Sequence, residues 1–432
     1  MITMILVYAL IFTSFLSDWT DLADILGGLS KVIAFLPDLI AGVLALSVLF
    51  RITQRNPIIL APKYIFIGVT FILTIIVGFL LNDMNANTIV LGIRDYLRFI
   101  PIFLVPAVFS LSEKEMKKIL LFILALSLLQ TPVGIYQYLT LYPIHQTGDV
   151  VRGTLSNSGI LSVYQCAVIS ILYAFYLSKS ISLTLFVGLS AVLMVPVILN
   201  DSRATLVLIL VGIFTVGLFD QKSSRNKVQV ISFTFLTVFV LAGSFVLVYD
   251  KVFADRYSQR YEGGLLEFYL QGAAEDDFYK KRAHDVGKGV GRLDSIIFAL
   301  EESKNDISSR MLGLGAGNVR QAPIKALEGE YVQKYADYGV KINTISNLLW
   351  ETGLFGVILC ISFLVCVWFD TKKLASNESP FISSFALGWL AATTIIIISL
   401  VYKEMLLQNV SAVLIMFLSG YIAAEKRQQT QG

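Results

Sequence analysis

Charge is scarce in this chain. Asp, Glu, Lys and Arg make up only 15% of its 432 residues and hydrophobic types 56%, whereas soluble domains are about 25% charged. That scarcity excludes a soluble globular protein. The few charges leave a formal balance of +3, too small and too scattered for a nucleic-acid surface. Cysteine is nearly absent too. Cys166, Cys360 and Cys366 all fall in apolar runs, which excludes a disulfide framework and a C-x-x-C metal motif. His145 and His284 are the only histidines, so a histidine-based metal site has little to draw on and no metal or other cofactor is expected. Residues 1–16 lack a basic leader and a small-residue cleavage site and are read as a retained span.

What the chain has in abundance is apolar runs long enough to cross a bilayer. We read twelve, at about 1–16, 29–50, 64–81, 88–111, 119–139, 158–177, 181–199, 204–219, 228–249, 346–369, 381–402 and 405–423. The second contains Pro37 and Asp38, which predicts a kink or a late start. Lys and Arg of the short loops fall fourteen on one side, including Arg51, Lys63, Lys117, Lys179 and Lys372, and four on the other: Lys31, Arg152, Arg203 and Lys403. Cytoplasmic loops keep the basic excess, so both termini are expected inside. The polar stretch 250–343, between spans 9 and 10, is then external. The expected fold is an all-α integral membrane protein: spans 1–9 in residues 1–249, an external catalytic loop over 250–343, then spans 10–12 and a cytoplasmic tail over 344–432. Within the loop, apolar residues three and four apart at 252–270 and 292–300 predict amphipathic helices, and a short helix is expected through 331–338.

Several residues could carry chemistry, each with a plainer alternative. Arg203 lies at an external span mouth, where a guanidinium fork could hold a pyrophosphate; the alternative is a snorkelling residue paired with Asp201. Arg292, followed by Asp294, begins a loop helix whose alternative role is a solvated face. Gly313, Gly315 and Gly317 could present backbone N–H groups to an anion, or simply turn the chain. Arg94 and Arg98 share one face of the fourth span beside Asp95, and such charges need partners or a wet cavity. Arg152 and Asn157 close the loop before the sixth span, where Asn157 could equally cap the helix that follows.

These residues resemble the O-antigen ligase and polymerase family, including the Wzy-type polymerases. The resemblance covers most of the chain, and its most specific piece is the junction of loop and tenth span. The family's ligases have His-x-Asn, nine residues, then Gly-x-x-Gly; this chain has Lys341-Ile342-Asn343, nine residues, then Gly353-Leu354-Phe355-Gly356. The family histidine is expected to act as the base on the acceptor hydroxyl, and with lysine in its place the resemblance implies a polymerase before a ligase. It further implies a GT-C-like architecture in a bacterial cytoplasmic (inner) membrane. It implies polyprenyl-diphosphate-linked glycans as donor and acceptor, membrane lipid around them, and a chain-length regulator and a flippase as partners. Position by position, Arg203 and Arg292 resemble the arginines that hold the diphosphate, Asn343 the motif asparagine, and Arg152 and Asn157 a weaker pattern.

The chemistry is consistent with that resemblance. Negative charge grows on a departing diphosphate, and fixed guanidinium groups stabilise it more in the transition state than before it. Lys341 is expected as a phosphate contact, or as the base if its pKa is depressed; Asp294 and Glu351 are the other candidate bases. Besides the ligase, the competing class is a lipid or polysaccharide transporter, since twelve spans are also a common transporter layout. Topology is testable directly: cysteines placed singly at 147 and 306 should react with an impermeant maleimide in intact cells, and cysteines at 112 and 376 should not.

Overall fold

The computed structural model describes residues 2–19, 21, 27, 29–54, 58–145, 147–202, 204–220, 227–257, 291–304, 306–320, 328–335, 340 and 342–431. Among these residues there are helices and turns but no strand. Seven helices are long and apolar enough to cross a membrane: Val32–Thr53, Pro62–Leu81, Glu113–His145, Ser158–Leu177, Val230–Leu247, Thr344–Leu374 and Pro380–Ser399. The chain is an all-α, multi-pass membrane protein. Large apolar side chains stand exposed on these helices, Leu46 at 68%, Phe66 at 71% and Phe239 at 76%, a surface suited to lipid rather than water.

In chain order the helices are α1 (Ile2–Asp18), α2 (Leu29–Thr53), α3 (Pro62–Leu81), α4 (Ala86–Leu97), α5 (Ile100–Phe109), α6 (Glu113–His145), α7 (Ser158–Leu177), α8 (Leu183–Leu199) and α9 (Ala204–Phe219). There follow α10 (Lys227–Tyr257), α11 (Arg292–Glu302), α12 (Ile307–Leu312), α13 (Thr344–Leu374), α14 (Pro380–Ser399) and α15 (Asn409–Gln431). Side chains set many of the starts. Asn85 caps α4 by accepting from the Thr88 N–H at 2.9 Å. Ser112 and Glu115 form a reciprocal capping box at the head of α6, each satisfying an N–H that the helix leaves free.

The structure departs from the sequence reading in two places. The run 88–111 is not one helix: it breaks after Leu97, and α5 begins with Pro101 in its first turn, where a missing N–H costs nothing. Pro37 lies inside α2, which begins at Leu29 and so does not start late. Residues 330–335 form turns rather than a helix. Of the loop helices, α11 appears as expected, while the 252–270 segment is helical to Tyr257 and otherwise lies outside the described residues.

The chain divides into two compact units. The first comprises Met1–Leu111, Phe278–Phe369 and Ile397–Gly432, the second Ser112–Asp277 and Asp370–Ile396. In the second, two buried glutamines of α6 hold the 152–154 turn. Gln137 Oε1 accepts from the N–H groups of Arg152 and Gly153 at 3.0 and 2.7 Å, and Gln130 Oε1 accepts from Thr154 N–H at 2.8 Å. In the first unit, the segment after α12 threads against α4 and α13. Gly317 has φ +87°, and a Cβ there would lie 2.8 Å from the Gly92 nitrogen; Gly353 breaks α13 at φ +64°, and a Cβ there would lie 2.5 Å from the Leu312 nitrogen. The break leaves the Trp350 carbonyl to accept from Leu314 N–H at 2.8 Å. Gly353→Ala should therefore cost about 2–3 kcal/mol, from left-handed strain and collision with backbone. Gly188→Ala, with nothing within 4 Å of the new Cβ, should leave stability unchanged or slightly raised. Thermal unfolding of the two purified variants checks the contrast.

Candidate functional site

Asp95 of α4 sits in an apolar helix at 6% exposure and Glu351 of α13 at 1%. Two acidic groups so placed need a cation or a proton. It arrives from the loop segment. Arg320, three residues beyond Gly317, is itself 8% exposed; it donates to Asp95 at 2.8 Å, to Asn347 Oδ1 at 3.1 Å and to Glu351 at 3.4 Å. Its guanidinium lies 5.7 Å from the Tyr96 ring centroid, and Asn347 in turn donates to the Tyr96 hydroxyl at 3.2 Å. Burial works against the charge on Arg320, yet Glu351 and Asp95 raise its pKa above the ordinary arginine value.

A second set of ion pairs adjoins this one. Arg94 Nε donates to Asp38 at 2.8 Å, Arg98 donates to the other Asp38 oxygen, and Arg98 also donates to Asn409 at 2.6 Å. The α4 arginines thus share one acidic partner on α2, with Arg94 reaching Asp95 at 3.4 Å. In this arrangement they tie α2, α4 and α15 together. Gly315 likewise packs, against Met84.

Nearer the loop, α11 is fixed at its base and open at its tip. Asn343 is fully buried. Its amide donates to the Arg292 carbonyl at 2.9 Å and to Ser295 Oγ at 3.1 Å, while its carbonyl oxygen caps α13 by accepting from Ser346 N–H at 2.8 Å. Ala299, Val319, Tyr335, Leu349 and Trp350 form an apolar cluster under α11. Thus Asn343 places Arg292. The Arg292 side chain is exposed and its guanidinium lies 4.3 Å from the Tyr402 ring centroid, with Lys403 Nζ 5.8 Å from the same ring. No carboxylate pairs with Arg292 among the described residues. Asp294, partly buried in the first turn of α11, folds its carboxylate back toward Gly291.

The Tyr402–Lys403 segment is tied to α13 through Thr344, whose hydroxyl donates to the Lys403 carbonyl at 3.0 Å and accepts from Met405 N–H at 2.8 Å. Thr344 also lines a cavity of about 310 Å³, whose other walls include Leu60, Tyr64, Phe71, Phe103 and Phe363 together with Asp95, Tyr96 and Asn347. One buried residue thus lines an apolar chamber and bonds the backbone of the segment that carries the cationic, aromatic surface. Such a pairing suits an amphipathic ligand with an anionic head.

Of the sequence-derived candidates, Arg292, Asn343, Asp294, Gly315, Arg94 and Arg98 lie in the first unit. Arg152 and Asn157 lie in the second, where Asn157 caps α7 by accepting from Ile160 N–H at 2.9 Å. Arg203 and Lys341 lie outside the described residues. Sequence reasoning missed Arg320 and Tyr402. For Arg320 a signal existed: two acids stranded in apolar runs and an arginine just past a glycine segment. Tyr402 carried none.

The chain matches no protein-family profile and no curated protein. The class is set by the fold, a multi-pass helical membrane protein whose first unit joins an exposed cationic surface to a buried ion network and an apolar chamber.

Arg320→Ala would strand Asp95 and Glu351 without their shared cation and should cost about 3–5 kcal/mol, the usual effect of removing one partner from a buried pair. Adding Asp95→Asn should recover part of that loss. Midpoints of thermal unfolding in detergent for the single and double variants test the coupling.

Proposed function

We propose that the protein is a membrane glycosyltransferase that extends polyprenyl-diphosphate-linked oligosaccharide repeat units on the external face of the bacterial cytoplasmic membrane. The proposal includes the twelve-span topology with both termini inside. The observation that carries the reading is Arg292, an exposed guanidinium set on the Tyr402 ring beside Lys403. It adjoins, through Thr344, a chamber able to take hydrocarbon. A lipid-linked diphosphate has that division of character: charge at the headgroup level and a chain running into the bilayer.

In the proposed step an acceptor sugar hydroxyl attacks the anomeric carbon of the donor. The bond from that carbon to the diphosphate oxygen breaks, its electron pair leaves with polyprenyl diphosphate, and the hydroxyl proton passes to a base. Arg292 and Lys403 stabilise the growing charge on the leaving group, and the Tyr402 ring gives a face on which a sugar can stack. Asp294 supports the role of base better than Glu351 does, because it stands on the same helical turn as Arg292, whereas Glu351 is sealed in at 1% exposure. Arg203 and Lys341 remain the further cations of the proposal. Transfer to a lipid A-core or protein acceptor is the nearest variant.

A second reading, a transporter, is favoured by one observation: the break between α4 and α5 falls beside Arg94, Asp95 and Arg98, and broken helices with ionisable groups are a transporter feature. Reconstituted protein with a lipid-linked repeat unit separates the two. Polymer ladders without added nucleotide support the enzyme; movement of unaltered lipid between leaflets with no ladder overturns it. Arg292→Ala should lower ladder formation about 10²–10³-fold, as loss of a transition-state donor does. Arg292→Lys should be intermediate, since it keeps the charge and loses the fork.

A further inference from the structure

Among the described residues, the connected acidic and basic side chains inside the first unit are unequal in number. Asp18, Asp95, Glu351 and Glu404 are 7%, 6%, 1% and 7% exposed, and Asp38 is bonded among them. Against these five carboxyls stand three guanidinium groups, of Arg94, Arg98 and Arg320. The groups form one connected set. Asp18 accepts from the Val410 N–H at 3.1 Å, beside Asn409, which accepts from Arg98. Arg98 and Arg94 share Asp38, Arg94 reaches Asp95, Asp95 holds Arg320, and Arg320 reaches Glu351. Glu404, in the segment between α14 and α15, interacts electrostatically with Arg320, Asp95 and Tyr96.

Were every group ionised, two negative charges would remain in a nearly dry interior, and a carboxyl so placed takes a proton instead. Lys403, adjacent to Glu404 in sequence, has its Nζ 5.8 Å from the Tyr402 ring centroid. Among the described residues no three acidic, histidine or cysteine side chains converge as metal ligands would, which disfavours a divalent ion as the counter-charge. The Tyr96 hydroxyl and the Gly317 N–H also face the Glu351 carboxyl, yet its buried Oε1 has no hydrogen-bond partner among the described residues. Glu404 has two neighbouring donors, the Leu407 N–H at 2.9 Å and Gln408 at 3.2 Å. Even so, burial pushes its pKa above the usual carboxylate range.

We infer that Glu351 and Glu404, gathered round Arg320, form a buried proton-binding site that is occupied at neutral pH and is emptied as the medium turns alkaline. This goes beyond the glycosyltransferase reading and stands whether or not that reading does. The sign follows from linkage: a carboxyl with a raised pKa in the fold makes the native state bind more protons than the unfolded chain. Stability then falls as pH rises above the ordinary 4.5 of a glutamate.

The test is infrared spectroscopy of the purified full-length protein in lipid nanodiscs, following the C=O stretch of protonated carboxyl groups and its shift in heavy water. The wild type should show this band at neutral pH and lose it at alkaline pH, and Glu404→Gln and Glu351→Gln should each remove one carboxyl's share. Unfolding midpoints should fall with rising pH in the wild type and fall less steeply in Glu404→Gln. The wild-type spectrum alone can decide: absence of a protonated carboxyl band at neutral pH overturns the inference. So does a band that both variants leave intact, or a missing band accompanied by stabilisation on adding sodium.

Discussion

The contact between Arg320 and the paired carboxylates Asp95 and Glu351 is the constraint on which the rest of the first unit hangs. Each member is buried, and none would be stable there alone. The arginine comes from the long polar segment and the acids from two apolar helices, so the ion pairs dock that segment into the helical unit. Gly317 and Gly353 permit the docking because a side chain at either place would collide with backbone. Hydrophobic burial cannot supply such a join in a membrane, where the surroundings are as apolar as the core; close packing and polar contacts must.

Once the segment is seated, α11 has a fixed base. Asn343 bonds α11 and caps α13 with one side chain, and the cluster around Trp350 fills the space beneath. Arg292 then projects from the open end onto Tyr402. The same junction therefore separates the unit into a cationic outer surface and an apolar inner chamber, with buried Thr344 lining the chamber and bonding the backbone of the segment that carries Tyr402. The proposed chemistry uses that separation, since a lipid-linked anion needs a place for each of its halves. The buried network beneath is a distinct matter of charge, set by its excess of acidic groups.

Much of the architecture was legible in the residues. Apolar runs announced the helices because a bilayer leaves backbone groups no partner but one another. Asn157 and Arg292 read correctly as the starts of helices, because capping and apolar spacing are local. The break after Leu97 was less visible: the run 88–111 is apolar throughout, and only the combination of Arg98 with Pro101 hints that the helix stops. For the site, Asn343 was singled out through the resemblance at the junction of loop and span, but its work of holding the Arg292 carbonyl could not be read from spacing. Arg94 and Arg98 were marked as charges needing partners; that both would take Asp38, 56 and 60 residues away, was not marked.

By itself the sequence determined that this is a helical membrane protein with one long polar segment, because composition and periodicity act over a few turns of chain. Tertiary structure alone decided which charges meet. Arg320 lies 225 residues from Asp95 and Arg292 lies more than a hundred from Tyr402, and no local pattern encodes pairings over such separations. They follow from how helices pack, and at low dielectric the packing determines which carboxylate has a cation and which must hold a proton.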